Sequence, residues 1–162
     1  MTSPKPCPLY DGSHYEMGDG IGHQLFTVMT LIRREVESRM AEHGLTDAQW
    51  KPLWLLKAGR ASTAIELARE MDIDAGAVTR MVDRLEAKGM LERARSDEDR
   101  RVVHLRLTPA GEATAEHVPH VLAAVNNDFL RGFSEAEWKQ LRKLLGRLVA
   151  NGTSLQAQTE ET

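Results

Sequence analysis

Three features of the chain predict a mainly α fold with a small β-wing. Two short helical patterns meet at the turn Asp72-Ile73-Asp74, two β-type runs follow a stop at Lys88-Gly89, and further helical patterns flank this block on both sides. Within Ala68–Thr108 the order is helix, turn, helix, strand, charged tip, strand. That order describes a winged helix-turn-helix, which sets one helix in a groove of duplex DNA and a hairpin beside it.

Residues 1–20 hold Pro4, Pro6, Pro8, Gly12, Gly18 and Gly20 and read as an extended arm. Leu25, Val28, Met29, Ile32 and Val36 recur at helical spacing, so a helix is expected over Ile21–His43 with Gly44 as its stop. Thr46-x-x-Gln49 is a capping-box pattern that opens the next helix, which Gly59 closes; Pro52 lies close to its first turn. A second capping box, Thr63-x-x-Glu66, opens a short helix to about Met71, with Ile65, Leu67 and Ala68 expected to face inward. Asp72 suits a left-handed turn residue and Asp74 an N-cap.

The helix expected over Ala75–Lys88 gathers Val78, Met81, Val82 and Leu85 on one face. The opposite face holds Gly76, Arg80 and Asp83, flanked by Thr79 and Arg84. Met90–Ala94 and Val102–Leu107 are the strands, and Ser96–Arg101 is the tip. Thr108-Pro109 starts a helix that should kink at Pro119 and end near Leu130. Ser134-x-x-Glu137 opens a last helix, with Trp138, Leu141, Leu144, Leu145 and Leu148 in register; Asn151-Gly152 is expected to end it. The expected organisation is an arm (1–20), a first long helix (21–45), a winged helix-turn-helix lobe (46–108), C-terminal helices (109–151) and a polar tail (152–162).

Composition narrows the functional classes. Charged residues make up 28% of the 162 residues and aromatics 5%, which suits a helical protein rich in surface. No apolar run approaches the roughly 20 residues that span a bilayer, and the N-terminal stretch has no apolar signal core, so the expected address is the cytoplasm with no membrane partner. Cys7 is the single cysteine, which excludes an internal disulfide. The net charge of −3 is unusual for a nucleic-acid binder, and over Gly76–Arg101 seven basic residues face six acidic ones. Specific contacts, rather than a basic patch, must then supply DNA affinity. Nothing in the chain offers a phosphate-binding loop, a nucleophile elbow or a metal-activated water, so no enzyme activity and no cofactor is expected.

Three blocks, LTDAQW (Leu45–Trp50), VTRMVDRLEAKGMLER (Val78–Arg93) and DEDRRVVHLRLTPAG (Asp97–Gly111), resemble the MarR family of winged-helix regulators. The resemblance covers about Ile21 to Asn151. It implies a homodimer built from the first and last helices, with dimerisation helices at 21–45 and 109–151. It implies repressor or activator action on a palindromic operator, often modulated by small aromatic or phenolic compounds; the action expected is that of a repressor released by a small aromatic or phenolic acid. It implies that Arg101 reaches a minor groove and that Asp99 orients the wing, in keeping with the preference of arginine for narrow, electronegative grooves. Arg80 is the residue best suited to a base or phosphate contact, joined by Thr79, Arg84, Arg95 and Arg100 around the bare backbone at Gly76. Arg84 can instead pair with Asp83 or Glu86, and Arg93 can bridge wing and helix.

Effectors of the family bind between the dimerisation helices and the DNA-binding lobe. Trp50 and Trp54 share a helix face there and offer stacking surfaces with N–H donors, or else pack as ordinary core. Tyr15 and His23 supply candidate hydrogen bonds to a ligand carboxylate or hydroxyl. Two alternatives are a metal-responsive regulator through His117 and His120 and a thiol switch through Cys7. A third is an architectural DNA binder without sequence preference.

Overall fold

A computed structural model describes residues 9–16, 18–95 and 102–160. The chain divides into two compact units, Met1–Val125 and Asn126–Thr162. The elements are α1 (Ile21–Glu42), α2 (Asp47–Lys57), α3 (Ala64–Met71), α4 (Ala75–Ala87), β1 (Leu91–Arg95), β2 (Val103–Leu107), α5 (Pro109–Phe129) and α6 (Glu135–Glu160), preceded by a single 3-10 turn, Gly12–His14. The mainly helical winged helix-turn-helix expected from the sequence is the observed fold. None of the described helices is long and apolar enough to cross a membrane.

The core lies in the first unit. Val36 and Met40 of α1, Leu53 of α2, Leu67 of α3 and Val78, Val82 and Leu85 of α4 are buried together with Leu91 and Leu105 of the hairpin and Ala115, Val118 and Val121 of α5. Each contribution follows from spacing: the apolar sides of α1 to α5 turn to the same interior, where burying a large aliphatic side chain is worth about 1.5–3 kcal/mol.

The turns use the residues their geometry demands. Asp72 takes φ 52°, the left-handed conformation that reverses the chain between α3 and α4, and Asp74 caps α4 by accepting from the N–H of Ala77 at 2.8 Å. Gly89 takes φ 67° directly after α4 and redirects the chain into β1. β1 and β2 pair antiparallel with Leu91 opposite Leu107 and Arg95 opposite Val103. The Thr108 hydroxyl donates to the carbonyl of Gly89 at 2.6 Å and accepts from the N–H of Gly111 at 3.1 Å, so one side chain caps α5 and ties it to the end of α4.

Three expectations are corrected. Ile65 is 82% exposed, not inward, because two residues before the buried Leu67 a helix has turned to its far side. The arm is not simply extended: Asp11 caps its 3-10 turn, the rings of Tyr10 and Tyr15 meet edge-on at 5.6 Å, and the N–H of Ile21 donates to the Tyr10 hydroxyl at 3.1 Å. Finally, α6 does not stop at Asn151-Gly152 but continues to Glu160. A helical glycine costs only about 1 kcal/mol, too little to end a long helix, and the hydroxyls of Thr153 and Ser154 find acceptors on the helix itself in the carbonyls of Val149 and Ala150.

Within the second unit, Gly132 at φ 89° turns the chain from α5 into α6, and Ser134 caps α6 with Glu137 reaching back to its N–H at 2.8 Å.

Candidate nucleic-acid interface and ligand cleft

The helix-turn-helix places four of the sequence-predicted DNA residues on one side of α4. Val78, Met81, Val82 and Leu85 are buried, which leaves Gly76, Thr79, Arg80 and Arg84 exposed. At Gly76 an added Cβ would come within 3.0 Å of the capping Asp74 carboxylate and 3.5 Å of the Arg80 guanidinium, so the missing side chain keeps the leading end of α4 low. Thr79 donates its hydroxyl to the Ala75 carbonyl at 2.9 Å. Arg95 ends β1. Asp99, Arg100 and Arg101 lie outside the described residues, as does Cys7.

The alternative pairing of Arg84 with Asp83 or Glu86 does not form. Both carboxylates are taken by Arg93, which reaches from β1 to α4: its Nη2 lies 2.6 Å from the Asp83 Oδ1 and its Nη1 bonds the Glu86 carboxylate. The hydrogen bond to Asp83, reinforced by the charge of Glu86, holds the Arg93 guanidinium above the ordinary arginine range. Among the described residues, Arg80 and Arg84 make no ion pair.

The loop before α3 helps to hold the wing in place. The N–H of Leu105 donates to the Ser62 carbonyl at 2.8 Å, and Thr63 bridges His104, so the loop before α3 lies along β2. Thr63 and Glu66 complete their capping box at this junction. Glu66 is held below the ordinary glutamate range, first by the N–H of Ser62 and then by the Ser62 hydroxyl.

Two open clefts border Lys51. One, of about 320 Å³, is lined by Trp50, Lys51, Trp54, Leu55, Glu70, Met71 and Leu122. It brings together the two indoles that the sequence singles out, with Trp50 8% exposed and the Lys51 ammonium 5.5 Å from its ring centre. The other, of about 430 Å³, runs along α4 past Lys51, Met71, Ala77, Arg80, Met81 and Arg84. Tyr15 and His23 line neither cleft. Tyr15 is engaged with Tyr10 and sits over Gly20, where a Cβ would collide with its hydroxyl, and His23 is exposed on the first turn of α1. Sequence spacing missed Lys51, Glu70, Met71 and Leu122 because they come from three different helices.

The histidine pair is also rearranged. His117 stacks on His43 at the end of α1, ring centres 4.8 Å apart and 12° from parallel. No group of three or more His, Cys, Asp or Glu able to hold a metal ion is found among the described residues.

Residues 45–103 match the MarR family. The chain is 33% identical to the HTH-type transcriptional repressor MdtR of Bacillus subtilis (strain 168) over 118 residues, 73% of this chain and 76% of that protein. It is 33% identical over 96 residues to the multiple antibiotic resistance protein MarR of Salmonella typhimurium, 59% of this chain and 67% of the relative. Among solved structures it resembles a mutant MarR from E. coli complexed with operator DNA (TM-score 0.72, 27% identity, 83% of this chain and 99% of that one). It also resembles a probable transcriptional regulator from Pseudomonas aeruginosa (TM-score 0.70, 28% identity, 82% and 99%). With the helix-turn-helix, the paired wing strands and these relatives in agreement, the chain belongs to the MarR family of transcriptional regulators.

Proposed function

We propose that this protein is a homodimeric, sequence-specific DNA-binding repressor, not an enzyme, which acts in the cytoplasm on a palindromic operator and is released by a small aromatic or phenolic acid. The observation that carries the DNA reading is the division of α4. One side is fixed in the core by Val78, Met81, Val82 and Leu85, and the other offers Arg80 and Arg84 without a paired carboxylate. An arginine fork there is suited to guanine O6 and N7 or to a phosphate. The likeness to a MarR complexed with operator DNA supports duplex DNA as the partner. In this reading Gly76 and Thr79 let α4 approach the groove closely, Arg95, Arg100 and Arg101 act from the wing, and Asp99 orients it.

The dimer reading rests on apolar surface. Phe26, Val28 and Met29 of α1 are 70%, 46% and 61% exposed, and α6 leaves Leu144, Leu148 and Val149 in water. Such patches are uncommon on a monomer and are covered by a second copy in a symmetric assembly.

The effector reading rests on the cleft at Trp50 and Trp54. Its indoles would stack an aromatic ring and the Lys51 ammonium would meet an acidic group. Tyr15 and His23 would take part only from a second copy. Selection of bound duplexes from a random pool, repeated with aromatic acids present, tests the proposal. A discrete palindrome that is lost with ligand is expected; diffuse binding would reject the operator. If no aromatic acid releases the DNA, or if Trp54→Ala responds like the wild type, the cleft is not the effector site.

A further inference from the structure

We propose that Arg93 is a positioning residue of the DNA-reading face: it masks the acidic flank of α4 so that a charge-balanced helix can lie against phosphates. The inference rests on the reading of α4 as the helix that meets DNA. Asp83 follows Arg80 by three residues and therefore shares its side of the helix, opposite the buried stripe. Its side chain is 57% exposed, so an uncompensated carboxylate would sit beside the arginine that must approach the duplex. Glu86, one turn on, adds a second. By itself α4 carries Arg80 and Arg84 against Asp83 and Glu86 and has no surplus positive charge.

Arg93 changes this balance from another element. It stands in the middle of β1, opposite Leu105, and its fork divides between the two carboxylates. A planar guanidinium can serve both at once; a lysine ammonium serves one well. The pairing also commits Asp83, which then does not read a cytosine amino group, the alternative use of an acid on such a helix. The hairpin thus supplies the charge that turns α4 into a surface with a positive excess.

The test uses the full-length chain, a duplex selected by the wild type, and heparin as a polyanion without sequence. Arg93→Ala should bind the duplex about tenfold more weakly at matched salt, with a shallower salt dependence, and leave heparin at lower salt. Adding Asp83→Asn and Glu86→Gln to Arg93→Ala should restore both properties. Wild-type affinity in Arg93→Ala overturns the proposal. So does a triple variant as weak as Arg93→Ala, which would mean that Arg93 touches phosphate or only props the hairpin. If Arg93→Ala does not fold, Asp83→Asn/Glu86→Gln decides: binding equal to or tighter than wild type supports masking, and weaker binding rejects it. If the wild type selects no duplex, the operator reading fails, and the heparin order alone decides the masking.

Discussion

At the scale of single residues, the protein separates side chains that hold the lobe together from those left available for DNA. Arg80 and Arg93 show the contrast: Arg93 is engaged with Asp83 and Glu86, whereas Arg80 faces outward without an ion pair among the described residues. Arg80→Ala should therefore lower operator affinity about tenfold or more, measured by titration at fixed salt, while the thermal midpoint and the oligomeric state stay as they are. Gly111 makes the opposite prediction. A Cβ there would lie 1.8 Å from the Met90 carbonyl oxygen, a backbone atom between α4 and β1 that cannot step aside. Gly111→Ala should cost about 1–3 kcal/mol in chemical denaturation even though alanine favours helix. Both positions lie in blocks that the sequence marks, but only the fold distinguishes an open arginine from a tethered one and shows what Gly111 touches.

At the scale of elements, caps and turns carry most of the local specification. The boxes Thr63-x-x-Glu66 and Ser134-x-x-Glu137 form as expected, and Asp72 and Asp74 take the turn and cap positions. Glu66 links this local chemistry to pH. Because its folded carboxyl is held below the ordinary value of 4.5, its contribution to stability is present above that pH and is lost as the pH falls through the lower folded value. Glu66→Gln should reduce the drop in thermal midpoint between about pH 5 and about pH 3 relative to wild type. An unchanged acid limb would show that its bonds to Ser62 and Thr63 do not couple to folding. Breakers are less decisive than caps: Asn151-Gly152 suggests a stop, yet α6 passes through it, because one weak helix former in a long exposed helix is outvoted by its neighbours.

At the scale of the whole molecule, the prominent feature is exposed apolar surface among the described residues. The periodic stripe Leu25, Val28, Met29, Ile32, Val36 splits in two. Val36 is buried in the lobe, while Val28 and Met29 remain exposed. In the second unit Leu144, Leu145 and Leu148 of α6 are 45%, 37% and 38% exposed. Leu148→Asp should shift the protein from dimer to monomer in light scattering and abolish operator binding without a matching loss of helix signal, since the residue lies outside the buried core. A dimer that persists would place the contact elsewhere. The same scale decides the aromatic cleft. Trp50 and Trp54 share one helix face by spacing alone, but Glu70, Met71 and Leu122 join them only through the packing of α2, α3 and α5.

The sequence by itself determined the order of elements, the buried stripe of α4, the helix caps and the family, because each depends on residues within about ten positions of one another or on a contiguous pattern. Only the tertiary structure decided that Arg93 holds Asp83 and Glu86, that His117 stacks on His43, and that Tyr15 and His23 stand apart from the indoles. Those are contacts between elements, set by how apolar faces stack. Periodicity says which face of a helix is buried, but it does not say which neighbour lies across from it.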